Sequence, residues 1–547
     1  NASISDVPSD ASGRIEIKGN RVKNRLLLPC LFLALTAATA AYAGDAHDKA
    51  DSKSPPAAKV ATPQDQDAVS HGSVRVGGQT IDYTATTGTL ILKNKDEKPI
   101  ASMSYVAYVK SGVKNADHRP ITFLYNGGPG SSTIWLHMLA FGPQRVVVGS
   151  GTSTPPAPYR LVNNDSSLLD ASDLVFIDAP GTGFGRVLGK DQGGVGTGKD
   201  VYGFDEDAHA FAQFITRYLT LNSRWNSPKF LFGESYGTTR SAMLANILEN
   251  DDSVGLNGVI LLSAILSYDI SVDFPQVNPG ANNISYALGL PSYAATAWYH
   301  HKLPQQPADL QAFLQQVEHF ATTDYLQALM QGSQLDAATR QKIAEQIHQY
   351  TGLPTAYIVK AGLRVSGGQF AHELLGADDM VTGRLDSRYS GPAMDPLAET
   401  ADYDPLDSSI DAPTVAQFNG YVRNVLNFGK GMTYKPQIEV FKEWDFKHQP
   451  PGAPFALPFT PNVMPDLASA MKHDPGLNVL LMGGYFDLGT PFYSAEYEMH
   501  QLPIPDSLQK NISYKFFPSG HMVYLDPESH KGLHAAAADF INAHYTK

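Results

Sequence analysis

A chain of 547 residues with one cysteine cannot build an internal disulfide framework, and that cysteine, Cys30, stands near the start. Stability therefore has to come from a packed core. Positive charge is scarce as well: 41 Lys and Arg face 54 Asp and Glu, a net charge of −13 with the acidic residues dispersed. Nucleic-acid recognition needs a concentrated basic surface, so that class of partner is excluded. No H-E-x-x-H or comparable ligand spacing occurs, and no metal centre is expected. No internal repeat is evident. What is present is 43% hydrophobic and 10% aromatic residues, enough for a large core with an inserted subdomain.

The N-terminal stretch has the form of a secretory signal. Arg14, Lys18, Arg21, Lys23 and Arg25 precede the apolar run Leu26 to Ala41, and Ala41-Tyr42-Ala43 offers small residues at both positions of a cleavage site. The run is shorter than the roughly 20 residues of a spanning helix and is followed by polar sequence. Residues 1–43 are therefore expected to be a removed signal, with a retained anchor as the alternative and no stable membrane insertion after cleavage. The remainder then holds no cysteine, which points to a secreted or periplasmic bacterial protein. Residues 44–72, rich in Ala, Asp, Lys, Pro and Gln, bury too little to offset ordering entropy and are expected to form a flexible leader.

From Ser73 short segments alternate in β fashion: Val74–Val76, Ile81–Tyr83, Thr89–Leu92 and Met103–Tyr108, separated by Gly, Asn and Lys turns. They predict an antiparallel meander. Ile121–Tyr125 and Leu174–Ile177 are nearly continuously apolar, as strands covered on both faces are. A helix from Gly203 to Leu221, a strand ending at Glu234 and the strand Gly258–Leu262 follow. This rhythm predicts an α/β fold with an open, mostly parallel sheet whose functional loops lie at the carboxyl ends of its strands. Amphipathic helices then dominate, including one that Asp336 could cap and Gly352 could end. The expected organisation is a first core part over 73–267, a mainly helical cap insertion over 268–440 without intervening strands, and a second core part over 441–547. Within that second part, Leu477–Met482 and Tyr514–Phe517 resume the sheet and a helix from Gly532 to His544 closes the chain.

The central stretch is Lys229-Phe230-Leu231-Phe232-Gly233-Glu234-Ser235-Tyr236-Gly237: an apolar strand, then Gly-x-Ser-x-Gly, then a helical pattern. This is the form of a nucleophile elbow, with Ser235 at the apex of a tight strand-to-helix turn. A serine hydroxyl needs a base to take its proton and an acid to orient that base, in the chain order Ser, acid, His. The best acid is Asp487, after the strand ending at Met482, and the best base is His521, after the strand ending at Phe517. His137, His300, His301, His319 and His530 lie on helical or connecting segments and read as core or surface residues. Asn126-Gly127-Gly128-Pro129-Gly130 follows the strand ending at Tyr125. Its glycines let a backbone N–H approach a reacting carbonyl, with the N–H of Tyr236 as second donor.

Asn126–Ser132, Asp178–Phe184, Gly233–Gly237, the Asp487 loop and Gly520-His521 together resemble the signature blocks of the serine carboxypeptidase family, in that family's order over roughly residues 73–547. The resemblance implies an α/β-hydrolase fold with an N-terminal antiparallel extension and a helical cap. It also implies acyl-enzyme release of C-terminal residues from peptides with a free C-terminus, without a cofactor. Carried over by position, Ser235, Asp487 and His521 are the triad, Gly128 and Tyr236 the oxyanion hole, and Asn126 with Glu234 the group holding the substrate's carboxylate. A carboxylate recognises another only by sharing a proton, so acidic to mildly acidic pH is expected to favour activity. The chain departs from the family at Ala140, where a second glutamate is common, at Ser131, where many relatives have cysteine, and at Tyr485, where an acid often stands. An esterase or acyltransferase on the same machinery is the nearest rival reading, and a non-catalytic binding protein the remote one. Oligomeric state leaves no sequence signal.

Overall fold

The computed structural model describes residues 61–545 apart from 274, 278–281 and 459. The expected signal segment and most of the expected leader lie outside the described residues. Among the described residues the main sheet has ten strands. They are β1 (Gln66–Val76), β2 (Gln79–Lys93), β3 (Pro99–Lys110), β4 (Ile121–Tyr125), β5 (Asp173–Ile177), β6 (Arg186–Val187), β7 (Lys229–Glu234), β8 (Gly258–Leu262), β9 (Asn478–Gly484) and β10 (Ile512–Phe517). The spatial order is β1-β2-β3-β5-β4-β7-β8-β9-β10, with β6 paired to β3. β1 to β3 form the antiparallel extension, and β5-β4-β7-β8-β9-β10 run parallel. β4, β5, β7 and β8 are buried along their whole length, which is why their sequences do not alternate. The chain goes from β4 to β5 on one side and returns to β7 on the other, and the crevice at such a reversal is where sheets of this class hold ligands.

Apolar residues pack on both faces. One layer sets α1 (Phe204–Leu221), α2 (Tyr236–Asn250) and the helix Met464–His473 against the sheet; the other uses the π-helical turn Leu136–Phe141 and the helices Pro405–Asn424 and Pro527–Ala543. A third cluster runs from Tyr286 to Leu375 and reaches Phe486, Leu488 and Phe492. There the Asp336 side chain accepts the Thr339 N–H at 2.9 Å, and Gly352 ends the helix Ala337–Thr351 at φ 70°, as the residues predict.

The structure corrects several expectations. Residues 66–72 belong to β1 and pair with Tyr83–Thr89, so the flexible leader does not extend to 72. Their side chains are mostly exposed, so the segment is ordered by backbone pairing that composition does not reveal. Asp65 adds to it by accepting the Ile91 N–H at 2.8 Å and pairing with Arg217 at 2.5 Å. Ile81–Tyr83 and Thr89–Leu92, expected as separate segments, are parts of the single strand β2. The insertion also carries a hairpin, Met380–Thr382 with Ser390–Pro392, where helices alone were expected. Between its strands Asp404 accepts the Arg384 and Leu385 N–H groups, giving a short non-helical stretch its hydrogen bonds.

Hydrogen exchange tests the role of β1. The amides of Tyr83–Thr89 that bond to β1 should be protected in the full chain and exchange at least ten times faster when the chain starts at Ser73. Equal rates would contradict the edge pairing.

Candidate active site

Asn126, Ser235, Asp487 and His521 all follow carboxyl ends of sheet strands, and each position has a local cause. Ser235 has φ 62° and ψ −132°, an unusual backbone for a non-glycine residue, and such strain persists only where surroundings enforce it. The enforcement is close packing: a Cβ at Gly233 would lie 2.1 Å from the Gly237 carbonyl oxygen, and one at Gly237 would lie 2.8 Å from that of Tyr125. The Ser235 N–H donates to Leu262 O at 3.0 Å, and its carbonyl accepts the Thr238 N–H at 2.8 Å at the start of α2. Gly127 lets the loop after β4 approach the same turn, since a Cβ there would stand 2.4 Å from the Tyr236 nitrogen.

The Asp487 carboxylate is fully buried and has four donors. Oδ1 accepts the Gly489 and Thr490 N–H groups, each at 2.9 Å; Oδ2 accepts from the Thr490 hydroxyl and from His521 Nδ1, each at 2.7 Å. Burial alone would lower the His521 pKa, but the charge and hydrogen bond of Asp487, with the nearby Glu234, outweigh it and raise the pKa above the ordinary value. The Ser263 hydroxyl donates to His521 O at 2.7 Å. A cavity of about 220 Å³ is bordered by Asn126, Gly128, Glu234, Ser235, Arg384 and His521; a larger one of about 670 Å³ also reaches Ser235 and Tyr236, among aromatic walls that include Phe204, Tyr268, Phe441 and Phe446. The other histidines singled out in the sequence border neither cavity. His137 is buried against the Tyr108 hydroxyl, and His530 against Ala140 O.

Asn126 Nδ2 donates to Glu234 Oε1 at 2.7 Å, while Asn126 Oδ1 accepts the Leu136 N–H at 3.0 Å. Burial pushes the Glu234 carboxyl up to about 7, against the lowering effects of His521, Tyr524 and Asn126. Its buried Oε2 forms no direct hydrogen bond among the described residues, and the Tyr524 hydroxyl is a neighbour near enough to lower the carboxyl's pKa. Ala140 is buried under the second layer and borders neither cavity.

Sequence reasoning missed the residues that brace this site. Arg240, on α2, is fully buried and pairs with Asp207 of α1: Nε to Oδ2 at 2.6 Å and Nη2 to Oδ1 at 3.3 Å. Its Nη1 donates to Asn126 O at 2.8 Å, and the Tyr236 hydroxyl donates to Asp207 at 3.1 Å. One ion pair thus ties both flanks of the elbow together. The only sequence hint is a cation on an otherwise apolar helix face. The segment 384–388 had no hint at all. Arg384 O accepts the Leu488 N–H at 2.9 Å, Leu385 O accepts the His521 N–H at 2.7 Å, and Arg388 Nη2 donates to the Ser519 hydroxyl at 3.0 Å. A piece of the insertion therefore clasps the loops of both Asp487 and His521. Among the described residues no cluster of three or more His, Cys, Asp or Glu is arranged to hold a metal ion.

A mostly parallel sheet with an acid–histidine pair beside an elbow serine defines an α/β hydrolase. The serine carboxypeptidase family model matches residues 81–365, and the chain belongs to that family. Pheromone-processing carboxypeptidase KEX1 of Saccharomyces cerevisiae is 32% identical over 138 residues, which are 24% of this chain and 17% of KEX1. Serine carboxypeptidase-like 36 of Arabidopsis thaliana is 26% identical over 224 residues, 39% of this chain and 41% of that protein. The matched stretches thus span less than half of these relatives' lengths. In three dimensions the chain is similar to the crystal structure of KEX1(delta)p, a prohormone-processing carboxypeptidase from Saccharomyces cerevisiae, with a TM-score of 0.52 at 15% identity over 84% of this chain and 92% of that one.

Replacing Arg240 with Met leaves the Asp207 charge buried and uncompensated, which costs about 3–5 kcal/mol. Urea unfolding should show that loss, partly recovered when Asp207→Asn is added. A midpoint unchanged in the single variant would contradict the brace.

Proposed function

We propose that the protein releases C-terminal residues from peptides through an acyl-enzyme on Ser235. The observation that carries this is the His521–Asp487 pair at 2.7 Å beside a cavity that also reaches Ser235, Asn126 and Glu234. With Nδ1 engaged by Asp487, His521 keeps Nε2 to take the Ser235 proton as Oγ attacks the last peptide carbonyl. The oxyanion faces the N–H groups of Gly128 and Tyr236. His521 then gives the proton to the leaving amine, the C–N bond breaks and the C-terminal residue departs. Water attacks the ester, His521 takes its proton, and Ser235 is restored as the shortened peptide leaves.

Asn126 and the protonated form of Glu234 hold the substrate's terminal carboxylate, since a protonated carboxyl can share its proton with that anion. The aromatic walls of the larger cavity suit an apolar residue on the acyl side. Export supports the same reading: the basic and apolar pattern of residues 14–43 is that of a secretory signal, and the absence of cysteine after Cys30 fits a bacterial periplasmic or secreted setting. No helix among the described residues is long and apolar enough to cross a membrane. One observation favours an esterase or acyltransferase instead, namely Ala140 where the family commonly carries a second glutamate.

Ser235→Ala should lower peptide turnover by about six orders of magnitude; retained turnover would contradict the nucleophile. The pH profile tests Glu234. Its protonated form is present below about 7 and lost above it, so kcat/KM on free-acid peptides should fall as pH rises through that value. Glu234→Gln cannot ionise and should remove this fall, leaving only the rise that reports deprotonation of His521, whose pKa lies above its ordinary value. An unchanged alkaline limb would remove Glu234 from carboxylate binding.

A further inference from the structure

Three residues border both cavities: Gly128, Ser235 and Arg384. The first two belong to the proposed reaction centre, and the third has no role in the mechanism above. The Arg384 guanidinium is half-exposed and held in a fork by Asp273, with Nε to Oδ1 at 2.8 Å and Nη2 to Oδ2 at 2.6 Å. Nη1 has no hydrogen-bond partner among the described residues. The group lies flat against the loop that follows Asp487, because a Cβ at Gly489 would come within 3.0 Å of its Cζ and Nη1.

An ordinary surface ion pair contributes little and could sit anywhere. This one is fixed at the junction of the two cavities, near enough to His521 for its charge to act on the imidazole. A planar cation with a free edge is the group best matched to a carboxylate. The smaller cavity is otherwise acidic, bordered by Glu234, Asp407 and Asp411, so an incoming carboxylate needs a compensating charge there. Ala140 supplies no second acid with which a proton could be shared.

We propose that Arg384 is the principal anchor of the substrate's C-terminal carboxylate, bonding it through Nη1 beside Asn126 and Glu234. The proposal rests on the carboxypeptidase reading and assigns to the cap insertion a substrate contact within it. The charged groups that act on Arg384 are Asp273 from the loop before the cap helices, Asp404 and Asp407 at the start of the helix Pro405–Asn424, and Asp487 and His521 from the core. Arg384 stays cationic at every working pH. Its contribution should therefore not vary with pH, unlike that of Glu234.

The test compares a blocked peptide bearing a free C-terminus with its C-terminal amide between pH 5 and 8. Arg384→Gln should raise KM for the free acid roughly 10- to 100-fold at every pH, the range expected for loss of a charge-assisted pair. kcat should change less than about threefold, and the preference for acid over amide should fall by the same factor as KM rises, leaving below about pH 7 only the part that Glu234 supplies. Arg384→Lys, which keeps the charge without the fork, should recover part of the preference. Labelling of Ser235 by a fluorophosphonate checks that each variant's site is assembled. A wild-type enzyme that hydrolyses acid and amide equally overturns the carboxypeptidase reading and this proposal with it. A wild-type preference that survives undiminished in Arg384→Gln overturns this proposal alone. A KM change that appears only with acidic residues on the acyl side also overturns it, by assigning Arg384 to the larger cavity.

Discussion

The site depends on a buried carboxylate that is fully engaged. Asp487 has no access to solvent, and a bare anion there would be costly. Two backbone N–H groups, the Thr490 hydroxyl and the His521 imidazole supply the compensation. That arrangement determines which nitrogen of His521 faces the acid and which is left for chemistry. It also requires the loops after β9 and β10 to stay in register. The segment 384–388 clasps them through Leu488 and His521, so it is mechanically part of the candidate site.

The second structural requirement lies at the elbow. Ser235 can hold its backbone strain because Gly233 and Gly237 allow three chain segments to approach more closely than any side chain would permit. Beneath it, the Arg240–Asp207 pair reaches the Asn126 carbonyl and the Tyr236 hydroxyl. Two loops proposed to donate to one oxyanion are thereby joined to a single rigid support. Preorganisation of this kind is what lets fixed dipoles stabilise charge that develops only during reaction.

The parts readable in the sequence are those where a local pattern and a topological position agree. Ser235, Asp487 and His521 each follow an apolar strand and stand in a glycine-bearing loop, so the sheet architecture and the candidate residues could be inferred together. Asp336 and Gly352 were readable for a similar reason, since caps act within a few residues. The braces were not readable. Arg240 meets Asp207 across two helices, and Arg384 meets Asp273 and Gly489 across more than a hundred residues of chain; no spacing rule links them. Residues 66–72 misled in the opposite direction. Their polar composition suits a leader, yet an edge strand can be ordered by main-chain pairing while its side chains remain in water.

Glu234 and Ala140 set the remaining physical question of how a protein of this family with one buried acid holds a substrate anion. A carboxyl raised to about 7 by burial can share a proton under mildly acidic conditions, and the guanidinium proposed as an anchor at the cavity junction would extend that hold to higher pH. Both require the chemistry to act at the end of a peptide and nowhere else. Mass spectrometry of the products from a defined mixture of peptides tests this most directly. The account predicts loss of single residues from free C-termini only, in successive steps, with apolar residues favoured on the acyl side. Internal fragments, or equal cleavage of peptides whose C-termini are blocked, would contradict it.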